Sequence, residues 1–175
     1  MSGAEIGQLE TYRCDGCGTE YHVAAGEEPT VVCPDCNQVA TPRGDPKARR
    51  EYQVGHAKYV EARRRLTEAL DRFEQGDTTL ARGGFNDAAT ELQTSVDHFR
   101  TAARQATSDD VTDPCERARD KATCLWQAVE WLSGATYAAE QGDRSQANRY
   151  KNDATQRLQA SREYGELPDP ETLSA

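Results

Sequence analysis

At 175 residues, with six cysteines and seven prolines, the chain has room for one ordinary domain with a small appendage and not for two large ones. Thirty acids against 21 bases give a formal charge of −9, so the field of the whole protein repels nucleic acid and anionic lipid unless its cations are segregated. No run of about 18 apolar residues occurs, and Met1–Glu10 lacks the basic-then-apolar order of a signal peptide, so the expectation is a cytoplasmic protein with no membrane association and reduced thiols.

Charge divides the chain into three parts. Residues 1–42 carry seven acids against Arg13, a net of −6; residues 43–65 carry Arg43, Lys47, Arg49, Arg50, Lys58, Arg63, Arg64 and Arg65 against three acids, a net of +5; the rest sums to −8. Thr41-Pro42-Arg43-Gly44-Asp45-Pro46 reads as the joint, since two prolines and a glycine disfavour both a continued strand and an early helix. The expected organisation is a first unit over 1–42, ordered from about 11 to 41, a linker at 43–46, a helical bundle at 47–164 and a flexible tail at 165–175.

Cys14-x-x-Cys17 and Cys33-x-x-Cys36, fifteen residues apart, supply four soft ligands in two knuckles, the set that a tetrahedral Zn²⁺ ion requires. Gly16, Gly18, Pro34 and Asn37 give each knuckle turn chemistry. Thr19–Val23 and Thr30–Val32 read as short strands around a turn containing Gly26, and this hairpin is expected to bring the knuckles together. Four cysteines close the coordination shell, so the ion is structural, one per chain. Paired disulfides and rubredoxin-type iron are the disfavoured alternatives, and His22 reads as a strand-surface residue. Four thiolates plus Zn²⁺ take this segment to about −8, ill suited to a phosphate backbone.

Residues 11–41 resemble the zinc ribbons that open archaeal basal transcription factors and many small adaptor proteins, with Asn37 standing where ribbons usually carry glycine. The acid excess, the choice of Arg over Lys (only Lys47, Lys58, Lys121 and Lys151) and the abundance of Ala and Thr resemble haloarchaeal, halophilic proteins.

From Asp45 to about Tyr164 apolar groups recur every three to four residues, as amphipathic helices demand. Tyr52, Tyr59, Leu66, Phe73 and Leu80 repeat every seven residues, with Gly55, Ala62, Ala69 and Gly76 three positions behind, a seam that lets a neighbouring helix approach closely. Gly83-Gly84 is expected to end this first helix, because consecutive glycines disfavour a helix interior more than the single Gly76 does. Phe85, Ala88, Leu92, Val96, Phe99 and Ala103 line a second helix. Asp113-Pro114 is expected to open a third, which buries Ala118, Ala122, Leu125, Val129 and Leu132 and carries Trp126 and Trp131 at its margins. After a turn at Gly142-Asp143, Ala147, Tyr150, Ala154 and Leu158 face inward from a fourth.

Gly76, Gly83, Phe85 and Ala88, then Trp131, Ala135, Gly142, Ala147 and Ala154, are similar in spacing to tetratricopeptide (TPR) helical hairpins over about residues 69–96 and 128–155, in a register of 59 residues where about 34 is usual. Glu74-Gln75-Gly76-Asp77 also recurs as Glu140-Gln141-Gly142-Asp143, a register of 66 residues that suggests a duplicated hairpin. The fold class is therefore mainly α with a small β zinc ribbon: an N-terminal four-cysteine ribbon followed by a TPR-like four-helix bundle.

Cys115 and Cys124 lie half a turn out of phase and read as small hydrophobes. His56 and His98 have no constellation that would make either a general base. Arg50 and His56 have the interval of the Arg–His pair of HEPN ribonucleases but stand on the first helix rather than a late one, so no enzyme is expected. The functional expectation is a non-catalytic adaptor that binds another protein, with Trp126, Trp131 and Tyr137 as contacts. The alternative is a nucleic-acid-associated regulatory factor using the basic segment 43–65, with Arg49, Arg50, Arg63, Arg64 and Arg65 on the polyanion.

Overall fold

The computed structural model describes residues 9–24 and 31–174. Strands β1 (Leu9–Cys14), β2 (Glu20–Ala24), β3 (Val31–Val32) and β4 (Val39–Arg43) precede helices α1 (Asp45–Glu74), α2 (Thr78–Gln105), α3 (Asp109–Glu140) and α4 (Arg144–Glu163), and a 3-10 turn follows at Thr172–Ser174. Among the described residues, no helix is long and apolar enough to cross a membrane.

The strands form one antiparallel sheet in the order β2-β1-β4-β3. The two segments expected to pair as a hairpin, now β2 and β3, lie on opposite edges instead, and the Gly26 turn falls outside the described residues. Each Cys-x-x-Cys knuckle is itself the turn of a hairpin. Cys14 N–H donates to the Thr19 carbonyl and Gly18 N–H to Cys14; Cys33 N–H donates to Gln38 and Asn37 N–H to Cys33. β1 with β2 and β3 with β4 are thus closed by the knuckles, and β1–β4 pairing joins them.

The expected joint at 43–46 shrinks to Gly44. β4 runs through Arg43 with Pro42 opposite Tyr12, and Pro46 sits in the first turn of α1. There the missing N–H of proline costs nothing, because the first helical N–H groups have no intrahelical acceptor.

Each helix packs on the next, α1 on α2, α2 on α3 and α3 on α4, while α1 and α3 meet only lightly across α2. Tyr52, Gly55, Tyr59, Ala62, Leu66 and Ala69 of α1 are buried against a stripe of α2 that includes Phe85, Ala88, Leu92, Val96 and Phe99. The small residues matter by their size: a Cβ on Gly55 would lie 2.9 Å from the Phe99 ring, and one on Gly84 would lie 2.9 Å from Ala69 Cβ. The buried Ser95 hydroxyl donates to the Gly55 carbonyl at 2.7 Å, a bond that only such close helices permit.

The first turn lies at Gly76, not at Gly83-Gly84. Gly76 has φ +83°, its N–H bonds the Phe73 carbonyl, and Asp77 N–H reaches back to Arg72 while the Asp77 side chain caps Leu80 N–H. Gly142 (φ +77°) and Asp143, which caps Gln146 N–H, repeat this geometry. The 66-residue repeat therefore gives the structural register. Gly83 and Gly84 are helical because the terminating cap, with its left-handed glycine and its aspartate, is complete seven residues earlier. Leu80, expected on the inner seam of the first helix, consequently lies at the start of α2 and is exposed.

α3 also begins earlier than Asp113-Pro114, leaving Pro114 inside it. Asp109 and Asp110 suit the positive end of the helix, and burial of Val111 and Cys115 on the same stripe as Ala118 extends it upstream. The segment after α4, expected as a flexible tail, returns to the bundle: Leu167 packs against the core and Leu173 is buried within it.

Candidate metal centre

Four thiols converge where the two knuckles face each other. Cys14 Sγ lies 3.3 Å from Cys36 Sγ and Cys17 Sγ 3.6 Å from Cys33 Sγ. All four sulfurs fall within 4.8 Å of one another. A tetrahedral thiolate site with bonds of about 2.3 Å has edges of about 3.8 Å, so the donors present fit a metal ion. Cys14 and Cys33, the first cysteine of each knuckle, are buried, and Cys17 and Cys36 are exposed.

The knuckles repeat at an interval of 19 residues: Cys14 and Cys33, Cys17 and Cys36, Gly18 and Asn37, Thr19 and Gln38 hold equivalent places. Gly18 (φ +76°) and Asn37 (φ +62°) both adopt the left-handed conformation, which asparagine tolerates better than most side chains. Gly16 is required for a different reason, since a Cβ there would stand 2.7 Å from Gln38 Cγ and 3.2 Å from Cys36 Sγ.

Hydrogen bonds to sulfur complete the site. Gly16 and Cys17 N–H groups point at Cys14 Sγ at 3.3 and 3.5 Å, and the Thr19 hydroxyl lies 3.2 Å from Cys17 Sγ. The Tyr21 hydroxyl sits 2.6 Å from Cys33 Sγ and 3.3 Å from an Asp35 carboxylate oxygen. Burial opposes ionisation of Cys33, but the Tyr21 hydroxyl and the backbone N–H groups of Cys36 and Asp35 outweigh it and hold the thiol down at about 6. The same bond pushes the Tyr21 phenol upward, keeping it a donor, and Thr19 lowers Cys17. At Cys36 the Gln38 backbone N–H favours the thiolate, yet the Cys14 sulfur, burial and the other two sulfurs push that thiol up to about 12. Crowded sulfurs resist taking the last negative charge; a bound cation removes that resistance.

The sheet is docked on the bundle at the end of α2. Gly44 N–H donates to the Gln105 carbonyl at 2.7 Å and Arg43 donates to the Ala106 carbonyl, serving backbone oxygens that a helix end leaves without partners. Lys47 pairs with Glu10 at 2.8 Å and lies over the Tyr12 ring, while Arg104 approaches Asp15 at 4.0 Å. One carboxylate oxygen of Asp45 accepts from Thr107 N–H, the Thr107 hydroxyl and Ser108 N–H, fixing the α2–α3 connection to the start of α1.

The remaining sequence candidates lie elsewhere. Arg64 pairs with Glu61 and Glu68, Arg65 with Glu61 and Asp87, and Arg63 stacks over Tyr59. Arg49 and Arg50 border a shallow depression with Gln53 and Glu171, away from the sulfurs. Trp126, Trp131 and Tyr137 do not form one patch. Trp126 is half-buried in a groove against α2, Trp131 is 39% exposed and packs on Tyr150 of α4, and Tyr137, 55% exposed, lies beneath Arg82. Glu130 borders the grooves on both sides of this α3 ridge.

His22 is exposed beside Thr11, His56 stacks on Tyr52, and His98 pairs with Glu51 at 2.6 Å. Burial pushes the Cys115 thiol up to about 12 and raises Cys124 as well, so both favour the neutral thiol. Tyr21, Thr19, Arg43, Lys47 and Asp45 take parts in the site or its docking that sequence reasoning did not assign to them. The first two could have been found from their places four and two residues beyond Cys17, whereas the others depend on tertiary docking. Comparison with protein-family models, curated proteins and solved structures finds no match to this chain.

Proposed function

We propose that the protein is a non-catalytic, zinc-binding interaction module: a four-cysteine ribbon fixed to a TPR-like pair of helical hairpins that presents a protein-binding surface. The observation that carries this reading is the closed four-sulfur shell of Cys14, Cys17, Cys33 and Cys36. Four thiolates fill every position of a tetrahedral ion, leaving none for water or substrate, and they suit zinc, which holds that geometry without redox chemistry. Apart from ligands, Tyr12 and Ala40 are the buried hydrophobic side chains among the described ribbon residues, far too few for a fold of that size. Zinc supplies the missing folding energy.

The bundle then acts as a platform. On the α3 ridge, Trp131 on the α4 side and Tyr137 on the α2 side offer exposed aromatic surface of the kind that anchors partners. The polyanion reading is less well supported, because Arg43, Lys47, Lys58, Arg64 and Arg65 are engaged by acidic side chains of the chain itself. A photocrosslinking amino acid at position 137, in the native host, tests the proposal. It should yield a protein adduct of defined mass; no adduct, together with salt-sensitive RNA or DNA binding lost on changing Arg63, Arg64 and Arg65 to Ala, would reverse the order of the two readings.

A further inference from the structure

We propose that the face between α1 and α3 is a binding site for an acidic peptide segment carrying spaced leucines, extended at its start and turned at its end, and that residues 165–174 of the chain occupy it as an intramolecular strap. This deepens the interaction-module reading and rests on it.

The strap crosses from α3 to α1. After Gly165 (φ +70°) turns the chain back, its carbonyl accepts from Lys121 Nζ, and the Pro168 carbonyl accepts from the Tyr52 hydroxyl at 2.8 Å. Leu167 and Leu173 provide the apolar anchors, and Thr172 bonds the Asp169 carbonyl at 2.7 Å to close the final turn. The strap holds three acids, Glu166, Asp169 and Glu171, and no base. The receiving surface is basic: Arg117 and Lys121 stand on α3, Arg63 on α1, and Arg49 and Arg50 line the depression beside Glu171. Burial works against the charge of both Lys121 and His56; the nearby carboxylates of Glu166 and Asp169, respectively, oppose that effect without overcoming it.

Two features make the contact replaceable. Lys121 is only 9% exposed, and its hydrogen bond runs to a main-chain carbonyl rather than to a carboxylate. Tyr52 likewise recognises main chain, three residues along. Donors that read backbone carbonyls accept any segment whose first half has this shape, while the leucine contacts and facing charges select among them. A segment serving only to close the core needs no buried ammonium, which is costly to desolvate when its partner leaves.

The test uses full-length protein. A labelled peptide of residues 165–174 is titrated into wild type and into a variant with a loosened strap, Leu167→Ser with Leu173→Ser, in low salt and in molar KCl. The peptide should bind the loosened variant at least tenfold more tightly than wild type, and adding Lys121→Met should remove that gain. A peptide with all three acids changed to Lys should not bind. Should the serine pair unfold the bundle, Glu166→Lys with Asp169→Lys, which keeps both leucines, carries the same test. No saturable binding to a variant whose helical circular dichroism is intact would overturn the proposal, as would equal binding of the basic peptide. Dimerisation of the loosened variant without added peptide would also overturn it, by making a second copy the occupant. Peptide failure alongside a crosslink at position 137 removes only this inference; peptide binding without the crosslink removes the assignment of the α3 ridge.

Discussion

The hydroxyl of Tyr21 lies 2.6 Å from Sγ of Cys33, the more buried end of the second knuckle. It joins the sheet to the sulfur cluster: β2 leaves the first knuckle, and its second residue returns to hydrogen-bond a ligand of the other. Groups of this kind orient ligands and typically contribute 10–100-fold to metal affinity. Tyr21→Phe is therefore expected to keep the fold and one metal while losing the ion to a chromophoric chelator roughly tenfold more readily. Chelator competition reads this directly; unchanged metal affinity would remove Tyr21 from the site.

The glycines of the first turn separate by mechanism. Gly76→Ala meets no atom within 4 Å but must hold φ +83°, an expected cost of about 1 kcal/mol. Gly83→Ala has equal space within a helix and should stabilise by about 0.5–1 kcal/mol. Urea unfolding followed by fluorescence of Trp126 and Trp131, both in α3, measures the two. Opposite signs support the turn at Gly76, and the reverse order would restore the turn to Gly83-Gly84.

Close approach of α1 to α2 predicts a different response at Gly55. Its Cβ would meet the Phe99 ring at 2.9 Å, so Gly55→Ala should destabilise by about 1–3 kcal/mol through overpacking, despite alanine's better helix propensity. The companion change Phe99→Leu in the same background should recover part of that loss in the same unfolding assay.

Asp45 gives a pH signature. Partial burial works against its charge, but the donors of Thr107 and Ser108 outweigh this and hold its carboxyl at about 2. A folded-state value below the unfolded one means stability present above about pH 4 and lost as pH falls through about 2. Allowing for solvent screening, Asp45→Asn should cost about 1 kcal/mol at pH 6, and the gap from wild type should close as pH falls from about 4 towards 2. A gap independent of pH would mean that the charge of Asp45 does not hold the α2–α3 connection.

What the sequence made legible is what local chemistry decides. Cys14, Cys17, Cys33 and Cys36 announce their cluster through spacing alone, and the stripes of α1 to α4 follow from periodic burial. The strand pairing was not legible, because β1 runs straight into the first knuckle with no turn before it and Pro42 masks β4; only knuckle geometry places β2 and β3 at opposite edges. Gly83-Gly84 is a poor guide to the turn because helix propensity takes no account of the cap: Asp77 repeats in Asp143, and that repeat marks both turns. The strap was hidden because Leu167 and Leu173 stand among prolines and acids, where burial depends on a groove built partly by α1, whose Tyr52 lies 116 residues before Pro168.

The central proposal is that one ion holds the two knuckles together, and its most direct test is native mass spectrometry of the full-length protein combined with hydrogen exchange before and after chelation. We expect one zinc per chain, with Cys14, Cys17, Cys33 and Cys36 protected from alkylation, and loss of amide protection across β1, β2 and β4 on chelation while α1 to α4 stay protected. Material without stoichiometric metal, or a ribbon whose amides remain protected after exhaustive chelation, would contradict it.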